Sequence, residues 1–351
     1  MFQRAMERMG AFRRERRKRG TRRRPDGVRL HPEVLEDRRL LCTVSTDCII
    51  QSGADIDITG TSGSDRITLY NGDGGLLVGF RDGTTGTTNE HGPYYSSSSI
   101  TINAGDGDDD VSTATNVSQS VTINGGSGRD YLAGGGQDDI INGEDGDDNI
   151  HGAGGNDTLD GGAGDDEIRG REGNDTINGG DDNDDISGGS GEDLINGDNG
   201  VATAGGNDRI AGGNGNDIIR GNGGADNING EVGSDIVLGE DGNDTVMGSQ
   251  GNDILIGGNG GDNHQGDGGD DVLAGGDTTL TDTQLESIRT ELNSSNDVTT
   301  KHTNIQAILN SSLSEDNAID GHTGHIGADL VVAHPSDRNY SITGDDTLTI
   351  L

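Results

Sequence analysis

The chain has 351 residues, including 65 glycines, no tryptophan, and 63 acidic residues against 24 Lys and Arg. A formal net charge of −39 argues against a nucleic-acid partner, because an acidic protein repels a polyanion. No stretch is long and apolar enough for a membrane-spanning helix. A hydrophobic content of 27% is typical of a disordered chain, so only a regular pattern can argue for a fold.

The first 47 residues are predicted to be a basic, disordered segment. Residues 1–40 hold 14 of the 24 Lys and Arg but only six acidic residues. A nucleic-acid-binding arm is disfavoured, because residues 41–351 carry 10 basic against 57 acidic residues. A targeting segment or an over-extended start fits better. Cys42 and Cys48 are the only cysteines, and both a disulfide and two unpaired thiols remain open.

Residues 48–124 are predicted to form degenerate coils that cap the N-terminal end of a solenoid. The segments 99–109 and 120–130 align over eleven residues, which places Asp109 at the position of Asp130. Gly60 to Thr68, with Asp65, is a weaker copy. Such coils would cover an otherwise open sheet edge.

Residues 125–276 are predicted to be a repeat domain. Between Gly125 and Ala274 a nine-residue unit, G-G-x-G-x-D-x-U-x with U apolar, occurs sixteen times. The sixth position is always Asp, and the eighth is Leu, Ile or Val in every copy except at His264. The first position is always Gly, and the fourth is Gly except at Gln137 and Asp182, which we predict to be weak half-sites.

This period predicts an all-β fold, a right-handed parallel β-roll or β-helix solenoid with a short helical C-terminal cap. Each copy would form a Gly-rich turn and a three-residue strand, with the aliphatic side chain facing inward. Two copies would make one coil, and stacked coils would lie about 4.8 Å apart. The only break is an excess of six residues in the ninth copy, around Val201–Ala204, which we interpret as a tolerated surface loop.

The repeats resemble the RTX, or hemolysin-type, calcium-binding nonapeptides of secreted bacterial proteins. The resemblance implies that calcium ions lie between equivalent turns of neighbouring coils, bound by Asp carboxylates and turn carbonyls. Seven gaps in each of two columns imply about fourteen ions. The predicted metal ligands are Asp109, Asp130, Asp139, Asp148, Asp157, Asp166, Asp175, Asp184, Asp193, Asp208, Asp217, Asp226, Asp235, Asp244, Asp253, Asp262 and Asp271.

The residue types also favour calcium over other metals. Zinc prefers Cys and His, and the repeats offer only His151 and His264. Magnesium demands a small octahedral site, and no twelve-residue EF-hand loop is present. One aliphatic side chain per nine residues is a thin core, so we predict that calcium binding and folding are coupled.

Residues 277–351 are predicted to form a C-terminal cap or secretion region. Helices are predicted at Thr281 to Asn293 and at His302 to Leu313, where they would cap the last coil. Strands are predicted at Asp329 to Ala333 and at Ser341 to Thr343. A His-rich cluster is interpreted as solvated loop side chains rather than a metal site; it contains Asp320, His322, His325, Asp329 and His334.

No catalytic motif is present, and we predict a non-enzymatic, calcium-binding protein that is secreted or lies at the cell surface, with a structural or adhesive role. Extracellular polysaccharide or cell-surface components are the candidate partners. The alternative is a parallel β-helix polysaccharide lyase or epimerase with a repeat tail; its candidate residues are Glu90, His91, Tyr94 and Tyr95. Only Arg66 and Arg81 lie near these in the sequence to bind an acidic glycan. A passive export module is a third hypothesis.

Overall fold

The computed structural model describes residues 38–40, 48–52, 55–72, 75–94, 99–199, 205–276, 280–309, 321–323, 329–333 and 347–350. Residues 39–351 belong to one compact unit. Within it, two long sheets of short strands lie along the chain, and two short helices follow the sixteen repeats.

The elements are numbered in chain order. The strands are β1 (Arg38–Leu40), β2 (Cys48–Ser52), β3 (Asp55–Thr59), β4 (Arg66–Gly72), β5 (Gly75–Arg81), β6 (Thr88–Tyr94), β7 (Ser99–Asp106), β8 (Asp110–Thr113), β9 (Val121–Ser127), β10 (Tyr131–Ala133), β11 (Ile140–Asp145), β12 (Asn149–Gly154), β13 (Thr158–Ala163), β14 (Glu167–Glu172), β15 (Thr176–Asp181), β16 (Asp185–Ser190), β17 (Leu194–Asp198), β18 (Arg209–Asn214), β19 (Ile218–Gly224), β20 (Asn227–Val232), β21 (Ile236–Gly242), β22 (Thr245–Gln250), β23 (Ile254–Asn259), β24 (Asn263–Gly268), β25 (Val272–Ala274), β26 (Gly321–Thr323), β27 (Leu330–Ala333) and β28 (Thr347–Ile350). The helices are α1 (Asp282–Leu292) and α2 (Val298–Leu309).

The repeats form a parallel β-solenoid, as the nine-residue period predicts. Alternate strands belong to opposite sheets, with β9, β11 and β13 in one and β10, β12 and β14 in the other. All of these pair in parallel with strands one coil away, so that Leu159 pairs with Ile141 on one side and Ile177 on the other. One coil is therefore two copies, or eighteen residues.

The strands are longer than the sequence predicts. In β13, pairing covers Thr158 to Asp160 and then resumes at Gly162, after the Gly at position one of the next copy. Most strands of the roll therefore span six residues rather than three, and the Gly-rich turn begins inside the strand. The extra ladder hydrogen bonds lie at positions two and three, where the residue type varies too much to predict a strand.

The core of the solenoid is a stack of single aliphatic side chains. The residue at position eight is at most 1% exposed in every copy of the roll, from Leu132 to Leu273. His264 occupies the same position and is also fully buried. Each coil therefore contributes only two inward side chains, and the polar turns must account for the rest of its stability.

The N-terminal part contains degenerate coils with antiparallel additions. Strands β3 and β7 extend one sheet in parallel, and β4 and β8 extend the other. Strand β2 pairs antiparallel with β3, and β5 and β6 continue β4 as an antiparallel meander. These additional strands end the parallel stack.

The interrupted ninth copy leaves the stack intact. Strands β16 and β18 pair in the usual register, although the residues directly before them, Asp184 and Asp208, are 24 rather than 18 residues apart. The six extra residues therefore lie outside the strands, as the sequence predicts for a loop. Residues 200–204 themselves lie outside the described range.

The helices do not cap the end of the stack, contrary to the prediction. The sheets continue past Gly276, because β26 pairs with β24, β27 pairs with β25 and β28 pairs with β27. Helices α1 and α2 instead pack against the outer face of one sheet. The shared cluster includes Leu285, Ile288, Leu292, Ile305 and Leu309 from the helices and Ile236, Leu238, Ile254, Ile256, Val272, Leu330 and Val332 from the strands.

The physical reason is the side chains at positions seven and nine. These point outward and are polar in most copies, but in β21 and β23 they are isoleucine and leucine. Helix α1 begins after Thr281, which forms a capping box with Gln284, close to the predicted start. Helix α2 begins four residues before the predicted His302, because the Asp297 carboxylate accepts the backbone N–H of Thr300 at 3.1 Å.

Candidate metal centre

The Asp residues at position six form two continuous columns, one along each line of turns. In each of the fourteen gaps between successive coils, the backbone N–H of one Asp donates to Oδ1 of the Asp in the following coil, at 2.7–2.9 Å. The first column runs from Asp130 to Asp262 and the second from Asp139 to Asp271. These are the two columns that the repeat period predicts.

The columns extend beyond the sixteen copies. In the first, Asp65 donates its backbone N–H to Asp109 at 2.6 Å, and Asp109 donates to Asp130 at 2.7 Å. In the second, Asp271 donates to Asp329 at 3.0 Å. Asp109 therefore lies where the alignment of the degenerate copies places it. The sequence placed Asp329 at the start of a predicted strand and in the His-rich cluster but not among the metal ligands, so its position in the column is a new finding.

The carboxylates are buried, and one oxygen of most of them receives no hydrogen bond from the part of the chain that the structure describes. All seventeen predicted ligands are at most 3% exposed. Among the described residues, no hydrogen-bond partner is found for Oδ2 of Asp109, Asp130, Asp148, Asp157, Asp166, Asp175, Asp184, Asp193, Asp208, Asp217, Asp226, Asp235, Asp244, Asp253 and Asp271. A buried carboxylate oxygen without a partner is costly, and its repetition along two columns points to a ligand.

Both carboxylate oxygens of Asp139 accept hydrogen bonds from the protein. Asp139 begins the second column, and the coil before it has Val121 in place of an Asp. Its Oδ2 accepts the backbone N–H of Gly135 at 2.6 Å, while Oδ1 accepts that of Val121 at 2.8 Å. The carboxylate at the end of the column is thus satisfied by the protein itself.

Burial raises the pKa of these carboxyls far above the usual range, and neighbouring carboxylates add to the effect for most of them. The pKa rises to about 6 for Asp130, Asp148, Asp175, Asp193, Asp235 and Asp244; to about 7 for Asp109, Asp157, Asp166, Asp208, Asp217 and Asp271; and to about 8 for Asp184, Asp226 and Asp253. The hydrogen bond from the backbone opposes this shift but does not cancel it. Ionised columns therefore need a positive partner.

The glycine at position one leaves space beside each Oδ2. A Cβ on Gly134 would lie 2.6 Å from Oδ2 of Asp139 and 2.6 Å from the carbonyl oxygen of Gly152 in the next coil. The same overlap with Oδ2 occurs at position one of all sixteen copies, for example at Gly152 with Asp157. Position one is therefore glycine because oxygen atoms occupy the space that a Cβ would need, not because of its backbone angles.

Glycine at position four is required both by its backbone angle and by the close approach of a neighbouring coil. Gly146 has φ +139°, and a Cβ there would overlap the carbonyl oxygen of Gly128 in the preceding coil. Asp182, one of the two exceptions, keeps the left-handed conformation with φ +75°. Position two is also left-handed and was missed in the sequence, because it accepts side chains such as Glu144, with φ +78°.

The donor set fits a hard cation bound largely by oxygen atoms. Within the described part of the chain, no three His, Cys, Asp or Glu side chains form a group that could hold a metal. That arrangement does not suit zinc, which needs three or four such side chains. Calcium, however, accepts backbone carbonyls together with carboxylates, and the turns bring both kinds of oxygen to most of the position-one glycines.

One further buried carboxylate lies in the interrupted copy. Asp198 is 6% exposed and accepts the backbone N–H groups of Gly206 at 2.9 Å and Gly223 at 3.1 Å. It therefore links two segments of the interrupted copy to each other and to the turn of the next coil. The Asp at position two of this copy gave no signal in the sequence, since acidic residues also occur at that position elsewhere.

The residues considered for a catalytic site lie in the antiparallel meander. Glu90, in β6, accepts a hydrogen bond from the Tyr70 hydroxyl at 2.7 Å. Tyr94, at the end of β6, is 5% exposed, and its burial raises the pKa of the phenol. Arg66 pairs with Asp110 at 2.8 Å, and Tyr95 lies outside the described residues. The Tyr70–Glu90 contact was not foreseen, because the two residues meet only through the antiparallel pairing.

Several sequence predictions fall outside the described residues. These are the Cys42–Cys48 alternatives, the strand at 341–343, most of the basic segment 1–47, and Asp320, His325 and His334 of the His-rich cluster. His322 lies in β26, paired with His264 of β24. None of the helices in the described ranges is long and apolar enough to cross a membrane.

Comparison with known families agrees with this geometry. The family model of the RTX calcium-binding nonapeptide repeat matches residues 124–159, 160–195, 203–237, 230–263 and 238–273. No curated protein matches the chain. The matched segments leave out residues 196–202 and contain all sixteen position-six aspartates, from Asp130 to Asp271. Residues 124–273 are thus RTX calcium-binding nonapeptide repeats, folded as a parallel β-solenoid.

Proposed function

We propose that this protein binds calcium along both columns, and that this binding drives the folding of the roll. The observation that carries the proposal is the buried Oδ2 atom of fifteen aspartates, which lacks a hydrogen-bond partner within the described residues. Each ion would lie between turns of successive coils, held by position-six carboxylates and turn carbonyls. Calcium would supply the positive charge that the ionised columns need.

Electrostatics supports coupling between binding and folding. Without a cation, folding at neutral pH must either protonate these carboxyls or bury their charge, and both reduce stability. The unfolded chain avoids this cost because its carboxylates are solvated. An ion that binds only the folded roll removes the cost and cross-links neighbouring coils.

The number of ions follows from the number of gaps. Sixteen aspartates form fourteen gaps, and each gap contains one Asp-to-Asp hydrogen bond of the same geometry. We propose up to about fourteen ions in residues 125–274. The turns with Gln137 and Asp182 would bind most weakly, because they lack the glycine at position four.

The low charge of each site supports a location where calcium is abundant. About one carboxylate per gap is fewer than in high-affinity sites, and calcium modules of that kind have dissociation constants of about 10⁻⁴–10⁻³ M outside cells. We propose a secreted or surface-associated protein with a structural or adhesive role. A calcium-dependent acidic rod without an assigned catalytic group fits that role, with surface components or polysaccharide as partners.

Adjacent aspartates provide a matched test. Asp184 is in the first column, whereas the side chain of Asp185 is 58% exposed and lies 3.7 Å from Arg209. Asp184→Asn should remove about one or two ions in calorimetry and raise the calcium concentration needed for β structure in circular dichroism. Asp185→Asn removes the same charge and should change neither. The asparagine retains an oxygen that accepts the N–H of Asp166, which Asp184 accepts at 2.8 Å.

The calcium-free state provides an independent readout. Because burial raises the pKa of Asp184 to about 8, a neutral asparagine should not destabilise the calcium-free roll at pH 7. Equal calcium binding by both variants, or equal β content of the wild-type protein in chelator and in millimolar calcium, would overturn the proposed function.

A further inference from the structure

The segment after the helices contains a seventeenth copy of the repeat. Residues 324–332 read Gly-His-Ile-Gly-Ala-Asp-Leu-Val-Val, which has Gly at positions one and four, Asp329 at position six and Val331 at position eight. The family match ends at residue 273, more than fifty residues earlier. The helical segment is therefore an insertion between two copies.

The geometry around Asp329 repeats that of the interior coils. Strand β27 pairs in parallel with β25, with Leu273 opposite Val331. The N–H of Asp271 donates to Oδ1 of Asp329 at 3.0 Å, and the N–H of Leu330 donates to the carbonyl oxygen of Asp271 at 2.7 Å. Inside the roll, Asp157 and Asp175 make the corresponding pair at 2.8 Å, and Thr176 donates to Asp157 at 2.8 Å.

The local features expected of a calcium site are also present. Asp271 and Asp329 are fully buried. Oδ2 of Asp271 receives no hydrogen bond from the described residues, and it borders the space beside Gly266, where a Cβ would overlap it. A buried carboxylate oxygen that receives no hydrogen bond from the described residues therefore lies in the turn of the sixteenth copy, whose strand pairs with that of the seventeenth.

We infer that a calcium ion also binds between Asp271 and Asp329, and that this ion closes the loop that carries α1 and α2. The inference rests on the proposed function, which concerns the fourteen gaps before it. The two aspartates are 58 residues apart in sequence, so the ion joins chain segments on either side of the whole insertion. This calcium site lies beyond the sixteen regularly spaced copies, so the nine-residue period alone does not predict it.

The ion would control how the helices dock. Part of the apolar surface beneath them is Leu330 and Val332, which lie directly after Asp329 in β27. When the seventeenth copy is held against the sixteenth, these side chains join Val272 under Leu285 and Ile288. Loss of the ion would release β27 and with it part of the docking surface.

Trypsin can measure this docking, because Arg289 and Lys301 are the only Lys or Arg residues in 277–328. Both are shielded. The Arg289 guanidinium donates to the carbonyl oxygens of Asn216 at 3.1 Å and Ser234 at 3.3 Å. The Lys301 ammonium donates to the carbonyl oxygen of Leu292 at 2.7 Å and lies 3.4 Å from Asp270.

The decisive comparison is Asp329→Asn with Asp175→Asn in the full chain, in millimolar calcium. Both variants keep an oxygen for the column hydrogen bond, and both should lose ions in calorimetry. Cleavage at Arg289 and Lys301, identified by the mass of the fragments, should accelerate about tenfold or more in Asp329→Asn only, because it follows the population of the undocked form. Asp271→Asn should accelerate it too, by removing the other side of the same site.

The outcomes separate the two proposals. If the wild type binds ions but Asp329→Asn and Asp271→Asn keep wild-type cleavage rates, the inference about this site is wrong and the proposed function stands. The same holds if Asp175→Asn accelerates cleavage as much as Asp329→Asn does. If the wild type binds no calcium, the proposed function is wrong and the inference falls with it.

Discussion

Alanine at position one should remove a calcium site by occupying its space. In Gly152→Ala, the new Cβ would lie 2.9 Å from the carbonyl oxygen of Gly170 and closer still to Oδ2 of Asp157. Ordinary contacts begin at 3.4 Å, so the carbonyl must move by about 0.5 Å and the carboxylate must turn away. Gly154→Ala is the matched control, since its nearest neighbours are 3.9 Å away.

The magnitude follows from three terms. Overpacking costs about 1–3 kcal/mol. Loss of one ion at a hundred times its dissociation constant costs about 2.7 kcal/mol. Alanine restricts the unfolded chain and returns about 0.4–1 kcal/mol in either variant. Gly152→Ala should therefore lower the free energy of unfolding by about 3–5 kcal/mol in saturating calcium, whereas Gly154→Ala should change it by less than about 1 kcal/mol.

Denaturant unfolding followed by circular dichroism measures both values, and calorimetry counts the ions. At calcium concentrations only just sufficient to fold the roll, the difference between the variants should shrink toward the overpacking term. The interpretation of position one fails if both variants lose equal stability, or if Gly152→Ala binds as many ions as the wild type.

Two further predictions concern the columns and the helices. Burial raises the pKa of Asp157 to about 7 and of Asp253 to about 8, so each carboxyl binds protons more tightly in the roll than in the unfolded chain. The calcium-free protein should therefore gain β structure as the pH falls from about 8 to 5; a circular dichroism titration in calcium-free buffer that shows no gain, or a loss, contradicts this. Ile288→Ala, at a fully buried position of α1, should destabilise helix docking by about 2–4 kcal/mol and expose Arg289 to trypsin, while the calcium-dependent β signal of the roll persists. Alanine at the exposed Thr290 is its control, and equal tryptic rates for the two variants would contradict lateral docking.

The sequence predicted the solenoid and both columns because each depends on a strict nine-residue period. Asp130 and Asp148 are one coil apart in any fold that stacks pairs of copies, so their alignment needs no tertiary information. The role of Gly152 was predicted only in part. A glycine that recurs at the same position of every copy suggests an unusual backbone angle. Here glycine is required because an oxygen atom from the next coil lies where a Cβ would be, and only the stacked structure brings that atom near.

The docking of the helices against one sheet and the seventeenth copy were missed for a related reason. Ile254 and Ile256 are outward-facing residues, and their burial requires a partner that the strand pattern does not identify. Asp329 sits in a complete copy of the repeat, but the insertion before it breaks the period. A repeat is recognised in a sequence by its continuous spacing. A strand, however, can join the stack whenever the chain returns to the same edge of the sheet.

The near identity of the coils has a consequence for how the chain finds its register. Shifting part of the stack by one coil would pair each Asp with another Asp and each inward aliphatic with another, so translation by eighteen residues costs little contact energy. Aperiodic features must therefore select the native arrangement. The 24-residue spacing from Asp184 to Asp208 is one, and the hydrogen bonds from Arg289 to Asn216 and Ser234 are another, because they tie the helices to two particular coils. The insertions that interrupt the repeat thus give an otherwise translationally symmetric stack a unique alignment.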